Sequence, residues 1–447
     1  MKRTLALLLA CALGLSMLAG CSSGISDPCT GLPVPDGSFT PPPLEPFADL
    51  VSQAFLPASS PRVEAALASF GLELLKQTRA ANGVKAMESE MDHVPFSTLV
   101  SPFSAATALS MAANGADGDT LAQFQEVLGG GADTDEINAA WARLSGDYHA
   151  LGGSTQCTIA NSLWKDSDGG IYEAFASKCQ GGYGAQVYEA DLSDLRIVDD
   201  LNGWVSERTN KMIPQIISEP FGAETALVLV NALYLKNKWA KEFDPFATRE
   251  MDFHHGNGSV GQVDFLQHFD TELSYMQGEG AQGAVLPYDD GRLAFFALLP
   301  DVYTDCDYNF GEWLNTLEGE ALTQLINSRE DALFLRFAMP KFTAKWRGDL
   351  SEALSGMGLA DAFVPETADF SKMGSNPDGY YIDQVVHAAK IEVNEKGTEA
   401  AAATVVAAPA GTAEPPREGI TLVLNRPFLY GIIDLQTGVP LFLGTYE

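Results

Sequence analysis

Basic side chains are scarce in this chain: 27 Lys and Arg stand against 59 Asp and Glu, a formal net charge of -32. Nucleic acids and anionic membranes are bound through clustered Lys and Arg, so this imbalance excludes such a surface and reads as solubility. Histidine is rarer still, with 6 in all. His254 and His255 are neighbours, which on an extended segment point to opposite faces, and His268 sits at no ligand spacing. The 6 cysteines form no CxxC pair, so neither residue type predicts zinc. The hydrolase elbow GxSxG is missing beyond the leader, because Ser259 has Asn257 two residues before it where the strained turn needs glycine. Gly278-Glu279-Gly280-Ala281-Gln282-Gly283 fits GxGxxG, but that pattern cradles phosphate only where a strand feeds a helix, and Pro287 with strand-like runs follows here. Acidic residues are plentiful, yet no pair is singled out by spacing as acid and base. The chain predicts no enzyme, no cofactor and no metal.

The one long apolar run, Leu5 to Leu18, is too short for a confident membrane span, which takes about 20 residues. It follows Lys2 and Arg3 and ends in Leu18-Ala19-Gly20-Cys21, so residues 1–20 read as an export signal. The ending resembles a bacterial lipobox. That resemblance implies cleavage before Cys21, a lipid on Cys21, and membrane attachment through that lipid only, on the periplasmic side or at the cell surface. Residues 21–61, rich in Pro, Ser and Gly, read as a tether. Beyond it the exported chain keeps Cys29, Cys157, Cys179 and Cys306, an even number that permits two disulfides. Cys157 opens a strand-like run and Cys179 ends the helix-like run after it, so a strand-helix return would join them and leave Cys29 with Cys306.

With 447 residues, 46% hydrophobic and 19% charged, residues 62–447 can bury a large core. Apolar residues at helical intervals predict a helix over Arg62 to Arg79, and Ser101 as cap with Pro102 at the first helical position predicts a buried helix over Ala105 to Ala113. Strands are expected at Thr158 to Trp164, Ala226 to Leu235, Arg292 to Leu299, Leu333 to Met339, His387 to Val393, Ile420 to Leu424, Phe428 to Asp434 and Leu441 to Thr445. Thr437-Gly438 suits a hairpin between the last two. Helical patterns interrupt the strands irregularly and no short repeat is present, so the fold class is α+β rather than doubly wound or solenoid.

The most unusual segment is Gly397 to Gly419, which carries Thr398-Glu399-Ala400-Ala401-Ala402-Ala403-Thr404 and later Pro409, Pro415 and Pro416 between two strand-like runs. Loops of this length in compact domains are functional or disordered. Four alanines lack the Ser and Gly of a linker, and their small side chains can enter a packed sheet without the roughly 1–3 kcal/mol that added bulk costs. Gly397 supplies hinge freedom.

Glu395-Lys396-Gly397-Thr398-Glu399-Ala400-Ala401-Ala402-Ala403 resembles the reactive-loop hinge of the inhibitory serpins. Further motifs resemble the same family in the same order: Leu99-Val100-Ser101-Pro102-Phe103-Ser104, Gly115-Ala116-Asp117-Gly118-Asp119-Thr120, Asn202-Gly203-Trp204-Val205 through Thr209-Asn210-Lys211-Met212-Ile213, Val230-Asn231-Ala232-Leu233-Tyr234-Leu235 through Trp239, and Asn425-Arg426-Pro427-Phe428. The resemblance spans about Arg62 to Glu447. It implies a serpin fold, mixed sheets with surrounding helices and an exposed reactive loop at about residues 395–419. Ser101, Ser104, Asn231 and His387 are implied as a polar shutter under the main sheet. Trp239 is implied at the breach where the loop first enters, and Lys341 with Glu395 as the ion pair at the loop base.

The implied activity is inhibition of a serine protease that cuts the loop, followed by loop insertion and covalent trapping. Counting forward from the hinge places the cut at Gly411-Thr412; counting back from Asn425 places it near Pro416, because the loop is about five residues longer than usual. Ala410 and Arg417 are the alternatives. Ala408, Ala410 and Gly411 suit an elastase-like or subtilisin-like pocket, whereas Arg417 suits a trypsin-like one. Asp133 to Tyr148 is acidic where members activated by sulfated polysaccharides are basic, so heparin activation is not expected. A monomer is expected. The rival reading is a non-inhibitory serpin serving as a binding module, which bulky, charged or Pro hinge residues would have favoured.

Overall fold

The computed structural model describes residues 60–88, 97–166, 170–223, 225–301, 310–376, 379–398 and 419–447. The first helix runs Pro61–Glu88, longer at its carboxyl end than its apolar stripe predicts, and Pro61 opens it instead of closing the tether. Helix Pro102–Ala113 has all its residues buried, and its alanines let a sheet approach on either side. Pro102 takes the first turn as expected. Ser101 departs from its predicted capping role: its side chain makes no cap bond, and its hydroxyl donates to the Leu441 carbonyl at 2.7 Å. No helix among the described residues is long and apolar enough to cross a membrane.

Two large sheets enclose that helix. The first has six strands in the order Phe342–Asp349, Gln384–Asn394, Gly397–Thr398, Leu227–Lys238, Gln156–Lys165 and Gln186–Glu189. Its two faces follow the alternation of each strand. Leu229, Leu233 and Leu235 with Val385, Ala389 and Ile391 face the main core. Val228, Val230, Ala232, Val386 and Ala388 face a second, smaller core under helix Arg196–Arg208.

The other sheet joins Leu99–Val100, Pro440–Tyr446, Phe428–Asp434, Leu293–Pro300, Ala281–Pro287, Val260–Gly278, Glu330–Pro340 and Ile420–Val423 in that order, with Arg249–His254 also paired to Val260–Gly278. The predicted final hairpin is present, with Gly438 at φ 75 in its turn. The GxGxxG match falls on another hairpin: Glu279 (φ 53) and Gly280 (φ 67) make the tight turn between Val260–Gly278 and Ala281–Pro287. Two successive positive φ values are what a two-residue turn between twisted antiparallel strands requires.

The Cys157–Cys179 pairing is not formed; both thiols are free. Cys157 lies at the start of its strand, opposite Leu235. The helix Glu173–Tyr183 that carries Cys179 returns instead beside the strand's middle, where Asn161 donates to the Tyr183 carbonyl. The end of that helix thus meets the strand roughly 13 Å along from Cys157, with Cys179 a further turn back in the helix, rather than at Cys157 itself. Burial pushes both thiols up to about 12, so neither is a ready nucleophile. Cys29 and Cys306 lie outside the described residues.

Candidate functional site

The six-stranded sheet is a fork. Gln384 to Ala388 pairs in parallel with Val228 to Ala232, then the two strands part. In the mouth of the fork sit Gly397 and Thr398, antiparallel to both: Thr398 is opposite Val393 and Asn237, and Gly397 is opposite Asn394 and Lys238. The backbone reverses at Glu395 and Lys396 to bring them there.

Gly397 has φ 153, and a Cβ built on it would lie 2.1 Å from the Asn237 carbonyl oxygen. Only glycine fits this approach. Thr398 is 2% exposed, and its hydroxyl shares a 2.5 Å hydrogen bond with the Tyr288 hydroxyl. Tyr288 stacks on Trp239 with ring centroids 4.9 Å apart. Trp239 fastens the reversal on two sides: its indole donates to the Asn394 carbonyl at 2.8 Å, and its backbone amide donates to the Lys396 carbonyl at 3.0 Å. The expected breach residue is therefore at the hinge. Tyr288 was missed; a lone tyrosine after Pro287 carries no signal in the sequence that it will meet a residue 110 positions away.

Lys341 and Glu395 meet at 3.1 Å, and Thr248 also donates to the same carboxylate at 2.9 Å. Burial raises the Glu395 pKa, but hydrogen bonds from its own backbone, Lys341 and Thr248 outweigh that and hold it below the ordinary value of 4.5. The folded carboxyl therefore favours its charged form. Its contribution to stability is present above 4.5 and is lost as the pH falls through the lower folded value.

Beneath the closed part of the fork three of the four residues expected as a shutter, Ser101, Asn231 and His387, come together, and Ser104 is buried on the helix that follows Ser101. Asn231 and His387 are register partners on the two strands. The Ser101 backbone amide donates to His387 Nε2 at 3.1 Å, which makes the ring neutral with its proton on Nδ1. Asn231 donates to Asn161 on the next strand, and Asn161 donates onward to the Tyr183 carbonyl. Asn161 was overlooked, although a polar residue between Ile159 and Leu163 on the inward face of its strand was the clue. Three buried atoms of these residues, Ser104 Oγ, Asn231 Oδ1 and His387 Nδ1, have no hydrogen-bond partner among the described residues. Such groups cost about 1–3 kcal/mol each, so the sheet carries unsatisfied polarity at this point.

Burial alone lowers the His387 pKa from 6.5 to about 4. Between those values the unfolded chain binds a proton that the fold refuses, so stability falls as the pH drops from 6.5 towards 4, by up to about 3 kcal/mol. Thermal unfolding followed across that window should show the loss. His387→Gln should flatten this part of the slope, and an unchanged slope would remove His387 as its source.

A family model described as "Serpin (serine protease inhibitor)" matches residues 65–447. The chain belongs to the serpin family. This serpin is 31% identical to a leukocyte elastase inhibitor of Bos taurus over 83% of its own chain and 99% of that protein. It is also 31% identical to a putative serpin-Z5 of Oryza sativa subsp. japonica, over 77% of its chain and 83% of the relative. Among solved structures it resembles the thermophilic serpin tengpin in the native state, with TM-score 0.75, 32% identity, and coverage of 88% of this chain and 94% of that one. Thyroxine-binding globulin in complex with thyroxine shares the fold at 22% identity and TM-score 0.71, over 86% of this chain and 98% of that one. The serpin's Ala400, Ala401, Ala402, Ala403, Ala410, Gly411, Thr412 and Arg417, together with Cys21, lie outside the described residues.

Proposed function

We propose that this serpin inhibits a serine protease as a suicide substrate, and the observation that carries the reading is Gly397 and Thr398 already seated between two strands. Their register extends by simple arithmetic. With Thr398 opposite Asn237 and Val393, residue 402 falls opposite Leu233 and Ala389, Thr404 opposite Asn231 and His387, and Ala407 opposite Val228 and Gln384. After cleavage the loop fills the fork in that register and displaces the Val228 to Ala232 pairing with Gln384 to Ala388. Ala400, Ala402 and Thr404 then face the main core, and Glu399, Ala401 and Ala403 face helix Arg196–Arg208. Small residues are needed because both faces are already packed. The Thr404 hydroxyl arrives beside Asn231 and His387, whose unpartnered atoms it can satisfy.

The target's own serine attacks the loop and forms an acyl-enzyme. A cut at Gly411-Thr412 leaves the acyl group four residues past Ala407, beyond the end of the sheet. Moving residue 411 that far from the hinge spans about 43 Å at extended rise. If insertion outruns deacylation, the protease is carried to the opposite pole and distorted. Ala410 and Gly411 favour an elastase-like or subtilisin-like pocket. Incubation of the protein with elastase-like, subtilisin-like and trypsin-like proteases, read by denaturing gel and intact mass, should yield a covalent complex with the first two and a released peptide beginning at Thr412. Complete cleavage with no complex in any arm would overturn the reading.

We also place the serpin on a membrane through a lipid on Cys21. Labelling with a fatty-acid analogue should mark the wild-type chain and spare Cys21→Ser; equal labelling would refute the anchor.

A further inference from the structure

On the outer face of the six-stranded sheet, three cations gather in a protein with few of them. Lys345 and Lys390 are register partners on adjacent antiparallel strands, directly opposite each other. Directly opposed like charges destabilise a sheet. Arg347 lies two residues along on the same face, exposed, and donates weakly to the Gln215 carbonyl at 3.5 Å. Glu392 holds Lys390 at 2.8 Å in a partly exposed pair of the kind that contributes little. Lys345 and Arg347 have no carboxylate partner among the described residues.

These cations line a cavity of about 420 Å³ whose other wall is Met212, Ile213 and Pro214. Its size is that of a small-molecule site, far more than a bare ion needs. Paired cations on one wall and apolar side chains on the other define the ligand class: a compact organic carboxylate with an apolar body. The anion would relieve the opposed lysines, and the apolar part would cover the facing wall.

The two walls come from different segments of the chain, one tied to a helix and the other carried on the sheet. Asn202 ties the apolar segment to helix Arg196–Arg208 by accepting from the Ile216 and Ile217 amides and donating to the Ile217 carbonyl. That helix and segment share a core with Val228, Val230 and Ala232 on one half and with Val386 and Ala388 on the other, so they bridge the fork, whereas the cations ride on Gln384–Asn394 and the edge strand beside it. We propose that an amphipathic carboxylate binds this cavity and clamps the sheet closed, slowing the parting of strands that loop insertion needs; the clamp rests on the inhibitory reading above, but the binding does not.

The test uses 1-naphthoate on the native protein by calorimetry, with neutral 1-naphthamide as control. Naphthoate should bind, naphthamide should bind at least tenfold more weakly, and Lys345→Glu should weaken naphthoate at least tenfold while leaving the thermal midpoint equal or higher, because it replaces a repulsive cross-strand pair with an attractive one. Equal binding of the amide, or undiminished binding to K345E, would overturn the site. Saturating naphthoate should at least double the fraction of inhibitor cleaved without trapping, and should not do so in K345E. Binding with unchanged trapping would overturn the clamp. If no protease is trapped with or without naphthoate, the inhibitory reading and the clamp fail together, while calorimetry still decides the site.

Discussion

Thr398→Arg is expected to turn the protein from a trap into a substrate: the target still cuts the loop, but the moles of inhibitor consumed per protease trapped rise at least tenfold. Thr398 is 2% exposed and bonded to Tyr288, so its site has no room or solvent for a guanidinium. Burying that charge without a partner costs several kcal/mol, and each 1.4 kcal/mol added to the insertion barrier slows it about tenfold. Deacylation is unaffected, so the balance shifts to release. Thr398→Ser keeps the hydroxyl and should trap almost as well as wild type. Gel titration of complex against cleaved inhibitor reads both variants, and a T398R protein that traps normally would mean that the hinge does not have to enter the sheet.

Cleavage of the loop by a protease that is not trapped should raise the thermal midpoint by at least about 10 °C. On the insertion reading, residues 399–407 would gain backbone pairing on both sides and satisfy the buried atoms at Asn231 and His387. A net gain of about 1 kcal/mol per inserted residue corresponds to a rise of that size in a chain of this length. Ala402→Pro, which removes a donor opposite Leu233 and Ala389, should abolish most of the rise because a central strand does not accept proline. Scanning calorimetry of intact and cut protein checks both; an equal midpoint before and after cutting would mean that nothing is inserted.

Much of this fold was legible because the predicted strands are apolar runs buried on both faces or at the hairpin end. Val230-Asn231-Ala232-Leu233 and Phe428 to Asp434 fall inside strands as expected. Two of the strands that were missed hide their signal in charge. Phe342–Asp349 alternates Phe342, Ala344 and Trp346 inward with Lys345, Arg347 and Asp349 outward, the composition of a protected edge, and among the described residues it pairs with Gln384–Asn394 alone. Val260–Gly278 is long, half exposed and broken by Asp270 at φ 45, so no single alternation runs through it.

The site divides in the same way. Gly397, Thr398, Trp239, Lys341 and Glu395 were named from local motifs and the structure gathers them at the fork. Tyr288 and Asn161 come from distant segments, and only the sheet register brings them in. Cys157 and Cys179 failed because a strand-helix return fixes direction without fixing where along the strand the helix lands.

The most direct measurement is hydrogen exchange of residues 400–407 in the cleaved protein, resolved by peptide mass. The account predicts protection comparable to that of Leu233 to Lys236 and Ala389 to Glu392, the strands they would join. Exchange of 400–407 at the rate of unstructured chain, with the pairing of Val228 to Ala232 and Gln384 to Ala388 still protected, would contradict insertion.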